Sequence, residues 1–301
     1  KMRNDEQGSR IGIVMNGSPL FTGGAGSGES EIRRWMLEND WVEAIIALPT
    51  DLFYNTGIQT YVWLLTNRKD VARQGKVQLI DASGEKFWKS MRKSLGSKRR
   101  EIPEDACDEI ARIYADMLNG NSDWADVSKI FDTTDFGYRE IRVERPLKLA
   151  FTVTPEGLET LRAAKPFLKL SDDEQTRVLD ALQEHLPQDE RWIDRDDFDT
   201  ALTAALRASG VKVAAPVRKV ILSALSDRAE DANVGTDNKG KPEPDTDLRD
   251  HELVPLNDDW REYVKREVLP FVPDAWVDEN YTDSQDGGIG RVGYEINFNR
   301  Y

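Results

Sequence analysis

Ile11-Gly12-Ile13-Val14-Met15, Val42-Glu43-Ala44-Ile45-Ile46-Ala47-Leu48 and Thr60-Tyr61-Val62-Trp63-Leu64-Leu65-Thr66 are three short runs rich in β-branched, aliphatic and aromatic residues, each bounded by turn formers. That pattern predicts strands. Between the first two lies a glycine-rich turn, Phe21-Thr22-Gly23-Gly24-Ala25-Gly26-Ser27-Gly28, and then Glu29 to Asn39. The latter places Ile32, Trp35 and Met36 on one side and Arg33, Arg34 and Glu38 elsewhere, the spacing of an amphipathic helix. Alternation of strand and helix predicts an α/β fold with a mostly parallel sheet. The run at Ile11 predicts a strand apolar on both faces. Such a strand needs neighbours that ten preceding residues cannot supply, so the chain is expected to be the back half of a larger α/β domain that continues upstream.

Working outward, Val77 to Asp81 is a fourth strand, and Lys86 to Arg100 carries seven positive charges in fifteen residues. If that segment is helical, Phe87, Met91 and Leu95 form one stripe and Lys89, Arg92 and Lys93 project away. Asp105 to Leu118 has helical spacing, and Phe136 to Leu147 is extended. Beyond Pro155 the pattern turns to helices. Ser171-Asp172-Asp173-Glu174 is a capping box ahead of Val178, Leu179, Leu182 and Leu186, and Pro187 stops that helix. Asp194 caps the next, which shows Phe198, Ala201, Leu202, Ala205 and Leu206 and ends near Gly210; Pro216 opens a third. Asp231 to Asp247 has almost no large apolar residue and is expected to be a mobile loop. Val292, Tyr294, Ile296 and Phe298 alternate as a half-buried terminal strand, and Gly293-Tyr294 faintly echoes Gly137-Tyr138. Two domains are therefore expected, residues 1–150 and a mainly α-helical extension over 151–301.

The 301 residues include 41 basic and 55 acidic side chains, a net charge of −14. Such a chain repels a phosphate backbone at long range, so a nucleic-acid role requires a local patch or a partner. One cysteine, Cys107, excludes a disulfide framework and a cysteine zinc site, and His185 and His251 show no metal-ligand spacing. No metal is expected. No apolar run approaches the ~18 residues of a membrane helix, and the N-terminus lacks a signal-peptide core, which suits a cytoplasmic protein.

Two segments could carry chemistry. The loop from Leu48 to Thr60 joins two buried strands and so emerges at a sheet end, where α/β proteins place ligands. Phe53, Tyr54, Asn55, Thr56 and Gly57 offer stacking faces beside hydrogen-bonding groups, the means of holding an extruded base. The alternative is that Phe53 plugs the core and Tyr54 caps it. On an acidic chain, Lys89, Arg92, Lys93, Lys98, Arg99 and Arg100 are the candidate phosphate contacts, the alternative being a solvated or self-paired charged face. The glycine-rich turn matches neither the dinucleotide fingerprint nor the phosphate loop and reads as a flexible connection.

Arg10 to Phe21, Glu31-Ile32-Arg33, Ala44 to Pro49, Leu52 to Ile58 and Val62 to Leu65 together resemble the modification subunit of type I restriction-modification systems, DNA adenine N6-methyltransferases. Gly75 to Ala82, Asp135 to Tyr138, Val143 to Leu147, Val268 to Trp276 and Val292 to Phe298 continue the resemblance. It implies a Rossmann-like, S-adenosylmethionine-dependent domain that transfers methyl to adenine N6 in double-stranded DNA. It also implies a specificity subunit, a second modification subunit and a restriction subunit as partners, and Phe53 or Tyr54 against the flipped adenine. The family's glycine-rich cofactor turn and its Asn/Asp-Pro-Pro-aromatic motif are absent, and no two prolines are adjacent. S-adenosylmethionine is therefore expected to be bound by residues upstream of this chain, which holds no catalytic residue and is inactive alone. The competing expectation is a non-catalytic interaction module docking the specificity subunit or a second modification subunit.

Overall fold

The three apolar runs pair as β1 (Arg10–Asn16), β2 (Val42–Ala47) and β3 (Thr60–Thr66), with β3 in the middle. A computed structural model of the chain describes residues 2–3, 8–117, 124, 126–188, 190–237 and 239–298. Their five-stranded sheet has the order β1-β3-β2-β4-β7, where β4 is Lys76–Asp81 and β7 is Ser128–Asp132. β2 runs parallel to β4, Ile45 opposite Leu79, whereas β3 is antiparallel to both β1 and β2, with Trp63 opposite Ile13 and Ile45. The sheet is thus mixed rather than mostly parallel. The reason is connectivity: a helix separates β1 from β2, but only a loop separates β2 from β3, and a loop returns the chain antiparallel beside the strand it leaves.

Two readings of this region are corrected. β1 pairs on one side only among the described residues, so Ile13 and Val14 are 39% and 50% exposed and the strand is an edge, not a doubly buried one. In α2 (Gly28–Glu38), which follows the short α1 (Ser18–Phe21), the buried residues are Ser30, Arg33, Arg34 and Leu37, whereas Ile32 and Trp35 are exposed. Polar satisfaction decides that face. Arg33 donates to the carbonyls of Pro19, Thr22, Gly23 and Tyr294, and Arg34 to Asp283 and Glu38. A guanidinium so fully met can be buried, and an amphipathic count cannot see it.

The basic segment is not a helix. Lys89–Leu95 (β5) and Lys98–Glu101 (β6) form an antiparallel hairpin turning at Gly96 and Ser97, with Gly96 at φ +62°. Of the predicted stripe, Phe87 is buried against Ile80, Ile110 and Ile113, while Leu95 is exposed. Helix α3 (Glu104–Ala115) buries Ala106, Ile110 and Ile113 on that face of the sheet. Leu118, the predicted end of this helix, lies outside the described residues.

β8 (Gly137–Glu144) pairs antiparallel with β13 (Arg291–Tyr294), and the Gly-Tyr echo becomes a contact: Gly293 faces Tyr138 and Tyr294 faces Gly137. A Cβ on Gly293 would lie 2.4 Å from the Tyr138 ring. Each glycine makes room for the other strand's ring. Val292, Tyr294 and Ile296 enter the core with Trp63, Ile45 and Phe136, so the terminal strand belongs to the first unit.

That unit comprises the described residues of 1–142, 251–271 and 277–301, and the second those of 143–250 and 272–276. The division therefore begins near 143, and the chain re-enters the first unit after leaving it. In the second unit β9 (Leu149–Phe151) pairs with β10 (Ser226–Arg228), and α4 (Pro155–Ala163), α5 (Asp172–His185), α6 (Arg195–Ala208) and α7 (Ala215–Ala224) enclose one core. Its helix ends follow the sequence closely, with Ser171 heading a capping box and Asp194 accepting from the amides of Asp196 and Asp197. β11 (Asp250–Pro255), α8 (Trp260–Tyr263) and β12 (Trp276–Val277) complete the elements.

The loop 231–247, expected to be mobile, is pinned in its described residues. Gly235 donates to the Leu147 carbonyl and Leu147 to that of Glu243, each at 2.8 Å, and Asp231, Glu243 and Asp245 pair with Arg191, Arg195 and Arg228. Backbone pairing and ion pairs order it where apolar side chains could not. Asn238 lies outside the described residues.

Candidate nucleic-acid interface

The loop 48–59 leaves the C-terminal end of β2, the same end at which parallel β4 stops, at Asp81. Leu52 is the loop residue that packs on Ile46, Leu48, Ile80 and Phe87. Phe53 is half-buried, Tyr54 is 65% exposed, Asn55 and Gly57 are exposed and Thr56 is half-buried. Tyr54 is therefore presented outward, Phe53 stands half-buried beside it, and Leu52 is the neighbour packed on the core. Asp51, at φ +58°, begins the tight turn, and a bridge between Phe53 and Thr56 closes it. A Cβ on Gly57 would lie 2.8 Å from the Asp51 carboxylate, the end of a side chain that can turn aside.

The hairpin's turn sits on this loop. Ser97 donates its N–H to the Tyr54 carbonyl at 2.9 Å, and Arg99 and Arg100 donate theirs to the Asp51 carbonyl at 2.8 and 3.2 Å. The turn and the second strand of the hairpin are thus hydrogen-bonded to the loop that carries Phe53, Tyr54, Asn55, Thr56 and Gly57. The six phosphate candidates separate by role. Arg92, Lys93 and Arg99 are exposed and have no ion pair among the described residues, and Lys98 is half-buried. Lys89 pairs with Glu101 at 3.3 Å, and Arg100 turns to Thr50 and Trp88. Sequence reasoning missed Thr50, Asp51, Gly96 and Ser97 as the joint. The Gly96-Ser97 dipeptide between Leu95 and Lys98 is a two-residue hairpin signal that could have revealed the turn.

The glycine-rich turn is closed on the helix it precedes. Ser27 caps α2, Glu29 and Glu31 occupy the first helical turn, and Arg33 takes the carbonyls of Thr22 and Gly23. Two acids at the helix start oppose a phosphate or another anion there. Among the described residues no helix is long and apolar enough to cross a membrane.

Comparison with known proteins places these elements. A family model described as N-6 DNA Methylase matches residues 2–146, the segment that holds both loop and hairpin. The type I restriction enzyme MjaVII methylase subunit of Methanocaldococcus jannaschii is 28% identical over 175 residues, 57% of this chain and 28% of that protein. The HindI methylase subunit of Haemophilus influenzae is 37% identical over 92 residues, 30% of this chain and 18% of that one. A solved type I restriction-modification methyltransferase subunit from Streptococcus thermophilus is 25% identical, covering 42% of this chain and 24% of its own, with a TM-score of 0.34. The chain spans 18% to 28% of the length of the curated relatives it matches.

Proposed function

We propose that the chain, whose residues 2–146 match the N-6 DNA methylase family model, is a working part of a type I restriction-modification DNA adenine N6-methyltransferase. The observation that carries this reading is the joint between loop and hairpin: a hairpin bearing cations without ion pairs among the described residues is hydrogen-bonded to the loop that carries exposed Tyr54, at the C-terminal end of parallel β2 and β4. Tyr54, with Phe53 beside it, supplies a stacking face for an adenine taken out of the duplex, while Arg92, Lys93 and Arg99 hold neighbouring phosphates. The family match falls on the segment that carries both, which favours this role over pure docking.

S-adenosylmethionine, the methyl donor in this reading, and the grip on the adenine amino group are supplied outside these residues. The partners are double-stranded DNA, the specificity subunit, a second modification subunit and the restriction subunit, in the cytoplasm. Titration calorimetry on the chain alone should detect no S-adenosylmethionine binding, and micromolar binding overturns that part. In the assembled methyltransferase, Phe53→Ala and Tyr54→Ala should each slow methyl transfer about five- to 150-fold, the effect of losing about 1–3 kcal/mol of stacking. Duplex affinity should change less, because phosphate contacts supply most of it. Unaltered methylation in both variants, or loss in proportion to unfolding, rejects the proposal.

A further inference from the structure

Arg100 stands apart from the other hairpin cations. Its guanidinium carbon lies 3.8 Å above the centre of the Trp88 ring, and its Nη1 donates to Thr50 Oγ1 at 2.9 Å. Its backbone N–H goes to the Asp51 carbonyl, the acceptor shared with Arg99. One residue therefore touches both ends of the joint, with its charge turned toward the aromatic loop. Gly96 completes the fit: a Cβ there would lie 2.6 Å from the Tyr54 carbonyl oxygen and 3.1 Å from its ring.

We infer that Arg100 is a positioning residue that latches the basic hairpin to the aromatic loop, so that the hairpin's hold on DNA phosphates sets where Phe53 and Tyr54 stand. The inference rests on the DNA-binding reading above. A planar guanidinium stacked on indole and bonded to a hydroxyl is fixed in orientation by those two contacts, which tie it to the loop and to the hairpin at once. The neighbours Arg92, Lys93 and Arg99, exposed and without an ion pair among the described residues, are not so held. The hairpin thus has two kinds of cation, one kind facing the backbone of DNA and one facing its own protein.

The test compares Arg100→Met, Thr50→Val, their double variant and Arg92→Ala. On the chain alone, hydrogen exchange at the Ser97 and Arg99 amides should accelerate about tenfold in Arg100→Met and remain as in the parent in Arg92→Ala. In the assembled enzyme, Arg100→Met and Thr50→Val should each lower kcat with little change in duplex affinity, and the double variant should be no worse than Arg100→Met. The slope of log affinity against log salt should be unchanged in Arg100→Met and shallower by about one in Arg92→Ala. A slope shallower by about one in Arg100→Met, with Thr50→Val silent, makes Arg100 a phosphate contact and overturns the latch. Exchange that is unaltered in Arg100→Met overturns it as well. If Arg92→Ala leaves DNA affinity and salt slope unchanged, the DNA-binding reading fails instead, while the exchange result still judges the joint.

Discussion

In the second unit the buried faces are the ones that apolar spacing marks. Val178, Leu182 and Leu186 and, in α6, Phe198, Leu202, Ala205 and Leu206 are buried as predicted, while Leu179 and Ala201 pack half-buried against them. In the first unit the buried set includes Arg33, Arg34, Glu43, Arg73 and Asp283. Glu43, inside β2, faces Arg10 at 3.1 Å and Arg73 at 3.7 Å, and Asp283 receives Arg34 at 3.0 Å. The helical core of the second unit is held by complementary apolar shape, its buried acids Glu144 and Asp245 lying outside the helices and paired with Arg249 and Arg228. In the first unit, α2 and β2 themselves bury charged groups that satisfy one another. The difference teaches when a helical face can be assigned from sequence: where burial is apolar the period suffices, and where it depends on a carbonyl or carboxylate from far along the chain it does not.

If that contrast holds, its largest consequence lies in the apolar unit. Phe198 is fully buried, stacked on Phe151 at 4.7 Å and edge-on to Trp192 at 5.2 Å. Phe198→Ala should destabilise the second unit by about 3 to 5 kcal/mol, read from hydrogen exchange in α5 and α6. An effect under about 1 kcal/mol would mean that the core is not packed as described.

Next comes the polar unit. Arg34→Met leaves Asp283 buried with only the amides of Gln285, Asp286 and Val292, and should cost about 3 kcal/mol, seen first at the Val292 amide. Burial pushes the Asp283 carboxyl up, but those amides and Arg34 outweigh it and bring its pKa down to about 2. A folded value below the unfolded one, about 3.9, stabilises the protein above the unfolded pKa, and that stability is lost as pH falls towards 2. The urea midpoint should therefore fall between about pH 4 and pH 2, and Asp283→Asn should flatten that part of the curve; an unchanged acid limb would show that Asp283 is not held as described.

The smallest effect sharpens the comparison at a helix end. Thr154 accepts the Gly157 amide at 3.0 Å, so Thr154→Ala should cost about 1 kcal/mol, confined to exchange in α4. Spread of that loss into α2 would contradict the separate core of the second unit.

How much of the candidate site was legible follows the same division. The loop 48–59 is read correctly as a sheet-end connection because the strands on either side are apolar runs, and Tyr54 is exposed on it. Phe53 and Leu52 are neighbours of similar hydrophobicity, and only packing shows that Leu52 takes the core position. The hairpin was missed because Phe87, Met91 and Leu95 happen to fall at helical spacing, although Gly96 adopts a φ of +62° that ends regular structure. Charge density alone also merges Arg100 with Arg92, whose surroundings differ.

By itself the sequence determined the strands β1 to β4, the caps and stops of α5 to α7, the terminal strand as far as Tyr294, short of the expected Phe298, and the kinship of the first half, because each rests on local spacing or on a contiguous motif. Tertiary structure alone decided that β3 lies between β1 and β2, that α2 turns its arginines inward, and that Gly137-Tyr138 and Gly293-Tyr294 are reciprocal partners. It also decided that the basic hairpin rests on the aromatic loop. Each of these depends on which backbone group beyond its own element meets a given donor, and such partners, as far as the 261 residues from Arg33 to Tyr294, leave no local period to read.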